Sequence, residues 1–352
     1  MSKLEKFRRG PELFVDDSRW GVVRAIGRVA RPLLRRPAVR ALLLDPGDAR
    51  AWSSIPVLGG ILGGVVGGIG RRRERAAAAR RRVLIRDAEE PLVSVVMAAW
   101  NAEETLEAAV GSILGQSHGN LEVLIVDDAS GDGTRGIAEN LARGDERVRV
   151  LSNPRQRGAA WTRNRGLAVA SGAYITFQDA DDWSHPERLE RQLAALLGRP
   201  GAMMCVCNYH REAPDGNRVV INGRYTSRSI ISMMFRARPV LSRVGFLDEL
   251  HVGEDAEYYE RIKLVFGRDA EVVLFETLYV ARFAPSSLLF SDGVTTRDGR
   301  ETVGGETVYR VTHAASEEAE AALQRVAERH RAIRDGVVDA YVGFDPGGDE
   351  GV

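Results

Sequence analysis

The stretch "AYITFQDADDW", Ala173–Trp183, sits near the middle of a 352-residue chain. Its first half, "AYITF", is a short apolar run of the kind that forms a buried strand. Its second half sets Asp179, Asp181 and Asp182 within four positions directly behind that strand. Like charges so close repel and raise one another's pKa, so water or a divalent cation has to compensate them. Taken alone, the motif reads equally well as a solvated turn that caps the next helix.

The flanking sequence separates the two readings. Upstream, "LVSVVMA", "LEVLIV" and "RVRVLS" read as strands. Between and after them, "AEETLEAAVGSILGQ" (capped by Asn101), "GTRGIAENLAR" and "GAAWTRNRGLAVAS" carry apolar residues at helical spacing. Downstream, "SHPERLERQLAALLG" predicts a helix with Ser184 and Glu187 as a capping box and Pro186 in its first turn, followed by "AMMCVCNY" as a fifth strand. Such alternation implies an α/β fold, a mainly parallel sheet flanked by helices. In a parallel sheet the carboxyl ends share one edge, and ligands bind outside it. The ends "AAWN" (Ala98–Asn101), "DDAS" (Asp127–Ser130) and "QDADD" therefore converge on one crevice. A helix cap gives no reason for two acidic clusters to meet there, whereas a hard cation with an anionic ligand does.

After Asn208 the alternation loosens. "NRVVING" reads as a hairpin or edge element, "SIISMMFRA" as a strand, and "GEDAEYYERIKLVFG" as an amphipathic helix. "AEVVLFETLYVARF" supplies one or two strands, and Ser286 to Glu306 reads as a mobile loop. "SEEAEAALQRVAERHRAI" is a C-terminal helix, and the acidic Gly-rich tail reads as disordered.

The formal net charge is zero, but it is unevenly placed. Residues 1–90 hold 20 basic and 10 acidic residues, about +10, so the remainder carries about −10. Within that front, residues 51–70 are uncharged, with Gly-Gly pairs every four residues, and a run of arginines follows. The pattern reads as contact with an anionic membrane surface, as a weak membrane span, or as a linker or packed hairpin before the domain. No signal peptide is visible, and Cys205 and Cys207 read as buried free thiols in a reducing cytoplasm.

Three blocks carry a family resemblance. "VSVVMAAWNAEETLEAAVGSILGQSHGNLEVLIVDDASGDGT" resembles the opening of the family 2 glycosyltransferases, which have the GT-A fold. "RGAAWTRNRGLAVASGAYITFQDADDWSHPERLERQ" resembles their Asp-x-Asp block, and "MMFRARPVLSRVGFLDELHVGEDAEYYERI" resembles their acceptor half with its Glu-Asp pair. The likeness runs from about Pro91 to Leu289. It implies a GT-A domain over 91–290 (nucleotide-binding half 91–208, acceptor half 209–290). It does not cover the basic extension with its Gly-rich apolar stretch over 1–90, or the loop, helix and acidic tail over 291–352, which are read from composition and pattern.

The resemblance also implies roles. Ala98, Ala99, Trp100 and Asn101 line the nucleotide, Asp128 bonds the base, and Arg163 and Asn164 border the donor pocket. Asp179 sits next to the ribose, and Asp181 and Asp182 hold Mn²⁺ or Mg²⁺. Asp255 is the base, with Glu254 beside it. The implied activity is metal-dependent inverting transfer from a nucleotide diphosphate sugar to a glycan or glycolipid acceptor, in the cytoplasm or at the inner membrane face, with no nucleic-acid partner. Two departures stand out. The family's Pro-x-Tyr-Asn is Ala98-Ala99-Trp100-Asn101 here, and its histidine before Pro-x-Ser-Leu is Ala284. Rival readings are a nucleotidyltransferase and a catalytically silent scaffold of the same fold.

Overall fold

The computed structural model describes residues 78–79, 81, 90–250, 253–283, 293–303 and 306–346. The glycine-rich run at 51–70, Ala284 and residues 347–352 lie outside them. Residues 74–300 and 309–352 cluster as one unit.

Strand β1 (Val93–Ala99) is the axis of the sheet. It lies parallel between β2 (Leu121–Asp127) and β4 (Tyr174–Phe177), with Val95 opposite Val123 on one side and Thr176 on the other. Strand β3 (Val148–Ser152) extends the parallel set beyond β2. Helices α1 (Leu106–Leu114), α2 (Thr134–Gly144) and α3 (Ala159–Val169) make the crossovers. Alternate β1 side chains feed opposite cores, as the period of two requires. Val93, Val95 and Met97 pack with Leu106, Val110 and Ile113 of α1 and with Leu189 and Leu193 of α4 (Arg188–Leu197). Val96 faces the other way, toward Leu167 of α3. Gly166 sets how closely α3 lies on that face, because a Cβ there would come within 2.5 Å of Val96 Cγ1.

The parallel expectation holds for β3-β2-β1-β4 and then gives way. Strand β8 (Ser227–Arg236) pairs antiparallel with β4, and β6 (Met204–Glu212) antiparallel with β8. Between β6 and β8 the chain offers only the short β7 (Arg218–Ile221), with no crossover helix, so antiparallel pairing is what the connection permits. Strand β9 (Glu271–Arg282) runs parallel to β6, and its end pairs with β5 (Trp183–Ser184). Helix α5 (Ala237–Arg243) follows β8, and α6 (Glu254–Phe266) completes the second core with Tyr258 and Ile262.

Several local expectations are corrected. Helix α1 begins at Leu106 with no side-chain cap, and Asn101 serves a loop instead. The Ser184–Glu187 capping box does not form. Ser184 belongs to β5 and its hydroxyl donates to Gln178 Oε1, while Glu187 pairs with Arg191 and Arg81. In both cases tertiary partners outcompete the local cap. Residues 293–303 and 306–315, inside or beyond the stretch read as a loop, are strands β10 (Gly293–Val303) and β11 (Glu306–Ala315). Residues 340–344, just behind helix α7 (Glu317–Arg334), are bound to the domain: Phe246 N–H donates to Val342 O, Val342 N–H to Val244 O, and Phe344 packs on Trp161 and Phe246. Cys205 and Cys207 are buried and unpaired, as expected. Among the described residues no helix is long and apolar enough to cross a membrane.

Candidate active site

The carboxyl ends of β1 and β2 are laced together by hydrogen bonds. Asn101 takes a left-handed φ of 48°. Its N–H donates to Ser130 Oγ (3.0 Å) and its Oδ1 accepts from Gly131 N–H (2.9 Å). Ala102 N–H donates to Thr134 Oγ1 (2.7 Å). Ala98 is half-buried, Ala99 buried, and Trp100 stands 51% exposed, an aromatic face at the end of the strand. Asp128 is buried, and its carboxylate already accepts from Asn153 Nδ2 (2.6 Å), Arg157 N–H (2.9 Å) and Gly158 N–H (2.8 Å). It thereby organises the loop that leads into α3.

Asp179, Asp181 and Asp182 leave β4 as a cluster, each offering an oxygen within 4.8 Å of the others. Asp182 is buried and accepts from Arg282 N–H at 2.7 Å. Asp179 N–H donates to the hydroxyl of Tyr279, which also touches Asp182 (3.2 Å for the former). Burial, followed by the charges of Asp181 and Asp179, pushes the Asp182 carboxyl well above its ordinary range. Loss of surrounding water and then the Asp179 charge push Asp181 up to about 6. These three carboxylates repel one another enough to raise two of their pKa values despite nearby arginines, and their oxygens are the donor set a hard divalent cation takes. The residues fit Mn²⁺ or Mg²⁺.

Arg163 of α3 joins this cluster to the second acidic motif. Its guanidinium donates to Asp179 Oδ1 (2.8 Å) and to Glu254 Oε1, at the start of α6. Burial alone would lower its pKa, but the Asp179, Glu254 and Asp255 charges more than offset this and raise it. Asp255 follows in the first turn, accepting from Ala256 N–H at 2.8 Å. Burial first and the Glu254 charge second push its carboxyl up to about 6, against the pull of Arg163. Asn164 is occupied elsewhere. Its amide donates to Leu247 O (2.9 Å) and accepts from Leu247 N–H (2.8 Å). Both ends are committed to the 245–247 loop, so it fixes α3 to the acceptor half.

The sequence reading missed Tyr279 and Arg282, which hold the acidic strand end from β9. The alternation of "TLYVARF" indicates a strand but says nothing of which strand lies beside it.

Parts of this chain are similar to known proteins. Residues 94–245 match the model of glycosyl transferase family 2. Over 127 residues the chain is 41% identical to a "Putative teichuronic acid biosynthesis glycosyltransferase TuaG" of Bacillus subtilis, covering 36% of this chain and 50% of that one. Over 109 residues it is 40% identical to a "UDP-Glc:alpha-D-GlcNAc-diphosphoundecaprenol beta-1,3-glucosyltransferase WfgD" of Escherichia coli, covering 31% and 42%. The chain thus spans about half the length of such relatives or less. Among solved structures, S. aureus TarS 1-349 with UDP-GlcNAc is 21% identical with a TM-score of 0.46, covering 55% of this chain and 59% of that one. The paired acidic strand ends thus lie on a mixed α/β sheet within or beside a stretch, residues 94–245, that matches glycosyl transferase family 2.

Proposed function

We propose that this protein transfers a sugar from a nucleotide diphosphate donor, of the UDP-sugar type, to a hydroxyl of an envelope glycan or glycolipid acceptor, with inversion at the anomeric carbon. The observation that carries the reading is Arg163, one buried cation bonded to both Asp179 and Glu254. It gathers the acidic end of β4 and the acidic start of α6 into one charge cluster. This closeness supports reading the first as the site of the diphosphate leaving group and the second as the site of the proton acceptor.

Asp181 and Asp182, with Asp179 beside them, would hold Mn²⁺ or Mg²⁺. When bound, the cation neutralises charge on the departing diphosphate. Ala98–Asn101 and Asp128 form the floor against which the nucleoside lies, Asp128 by shaping the 153–158 loop. Asp255 takes the proton of the acceptor hydroxyl. A carboxylate with its pKa near 6 is ionised at neutral pH yet basic enough to accept a proton in the transition state. Glu254, neutralised by Arg163, keeps Asp255 from pairing with that arginine alone. The relatives' printed names, a teichuronic acid enzyme and a glucosyltransferase acting on a diphosphoundecaprenol-linked sugar, support an envelope role. A basic front that contacts the anionic inner membrane face agrees with such acceptors.

A thermal-shift panel of nucleotide sugars, with and without Mn²⁺, tests this. Metal-dependent stabilisation by one donor, followed by nucleotide release on adding acceptor, is expected. A panel with no metal-dependent shift would refute the donor assignment.

A further inference from the structure

Trp161, near the start of α3, is where two distant parts of the chain meet. It is buried, and its ring meets that of Phe344 edge to face, the centres 5.5 Å apart at 70°. The guanidinium of Arg157 lies over the same ring at 4.8 Å, and that of Arg165 at 5.8 Å. Both arginines lead to Asp128. Arg157 N–H donates to Asp128 Oδ1 at 2.9 Å. Arg165 Nη1 donates to Asn153 Oδ1 at 2.8 Å, and Asn153 Nδ2 donates to Asp128 Oδ1 at 2.6 Å. Two residues that hold the Asp128 carboxylate are therefore anchored on the Trp161 ring, Arg157 by its own side chain and Asn153 through Arg165.

Phe344 is itself held in place. Gly245 and Val342 form a parallel bridge, with Phe246 N–H donating to Val342 O (2.9 Å) and Val342 N–H to Val244 O (3.0 Å). Ala340 O accepts from Arg261 Nη1 at 3.1 Å. Arg261 is fully buried in α6 and donates to both oxygens of Glu257, at 2.8 and 2.9 Å. Residues 340–344 are thus fastened to the 244–246 loop and to α6, and they carry Phe344 across to α3. Phe344 lies outside residues 94–245, so this brace is no part of the stretch that matches family 2.

The loop at 153–158 is the part that such a brace serves. It belongs to no helix or strand, and Pro154, Arg155, Gln156 and Gly158 are exposed. A segment with few backbone bonds and little burial opens at low cost. Asp128 anchors its backbone, and the Trp161 ring anchors the Arg157 side chain. A ligand that needs this loop in place meets only the fraction of molecules that hold it so, and its apparent affinity falls with that fraction.

We propose that Trp161 and Phe344 are positioning residues for the donor nucleotide: their contact holds the 153–158 loop closed on Asp128 and so sets donor affinity. The inference rests on the glycosyltransferase reading for the word donor, but not for the bracing of the loop.

Two measurements on the full chain test it: hydrogen exchange, read by mass spectrometry on peptides spanning 153–160, and calorimetry with UDP and Mn²⁺. Phe344→Ala is expected to speed exchange in those peptides about fivefold and to weaken UDP about as much, the scale of one edge-to-face aromatic pair. Phe344→Tyr keeps the ring and should return both to the parental values. Tyr341→Ala, which shortens an exposed side chain of the same segment, should leave both unchanged. If Phe344→Ala does not fold, Phe344→Leu, which keeps apolar bulk without a ring, should show the same loosening. Exchange at 153–160 unmoved by loss of the ring, or moved as much by Tyr341→Ala, overturns the proposal. Faster exchange with parental UDP affinity overturns it too, since the loop would then not serve the nucleotide. A parent protein that binds no UDP strikes the glycosyltransferase reading alone, and the exchange data then decide the brace by themselves.

Discussion

Asp255→Asn should make the protein more stable while disabling it. Arg163 is one positive charge among Asp179, Glu254 and Asp255, so the start of α6 carries an excess of negative charge. The Asp255 carboxyl stands at about 6, against an ordinary 3.8. A rise of that size corresponds to about 3 kcal/mol. Because the folded pKa is raised, the folded state holds the proton more tightly than the unfolded chain. Stability is thus lost as pH rises from about 4 through about 6, and the full penalty is present at neutral pH. The helix start favours the charge by ~0.3–1 kcal/mol, too little to reverse the sign. The expected gain is therefore about 2 kcal/mol at pH 7.5. Asparagine retains the oxygen that accepts from Ala256 N–H. Urea denaturation of both proteins at pH 7.5 and pH 4 reads the effect, and the gap should shrink at the lower pH. Turnover should fall about 10²-fold or more, the scale for a general base. A variant less stable than the parent at pH 7.5, or a gap that does not shrink at pH 4, would refute the electrostatic reasoning. Near-normal turnover would remove Asp255 from the chemistry.

Arg163→Met leaves Asp179 and Glu254 without their shared cation and should cost about 3–5 kcal/mol in denaturant unfolding; a loss under about 1 kcal/mol would mean that the bridge is not a structural tie. Asp181→Asn with Asp182→Asn should abolish the metal-dependent part of UDP affinity by calorimetry. In the parent that part should weaken as pH falls through about 6, where Asp181 takes up its proton. Gly245 has φ 75°, and a Cβ there would lie 2.0 Å from Val342 O. Gly245→Ala should therefore break the Val342 pairing with Val244 and Phe246, and limited proteolysis should cut within 335–346; an uncut variant would contradict this.

Much of the fold was legible because its signals are local. The apolar runs at Val93, Leu121, Val148 and Tyr174 and the helical spacings between them specify a parallel β/α order, and the carboxyl-edge rule then places Asp127–Ser130 and Asp179–Asp182 on one crevice. The family blocks added Asp255 and Glu254 as candidates from a stretch whose local pattern gives only an amphipathic helix. What tertiary structure decided is which partners each polar side chain meets. Asn101, Ser184 and Glu187 have the right chemistry for caps, yet bonds to Gly131, Gln178 and Arg191 take them elsewhere. Asn164, set by the resemblance beside the donor pocket, bonds with both ends of its amide to Leu247, 83 positions away. The Arg163 bridge joins residues 91 positions apart, and Tyr279 reaches Asp179 across 100. Periodicity reports only which face of an element is buried. Which distant charge stands opposite a buried one depends on the packing of whole elements, and that packing sets the pKa values on which the proposed chemistry depends.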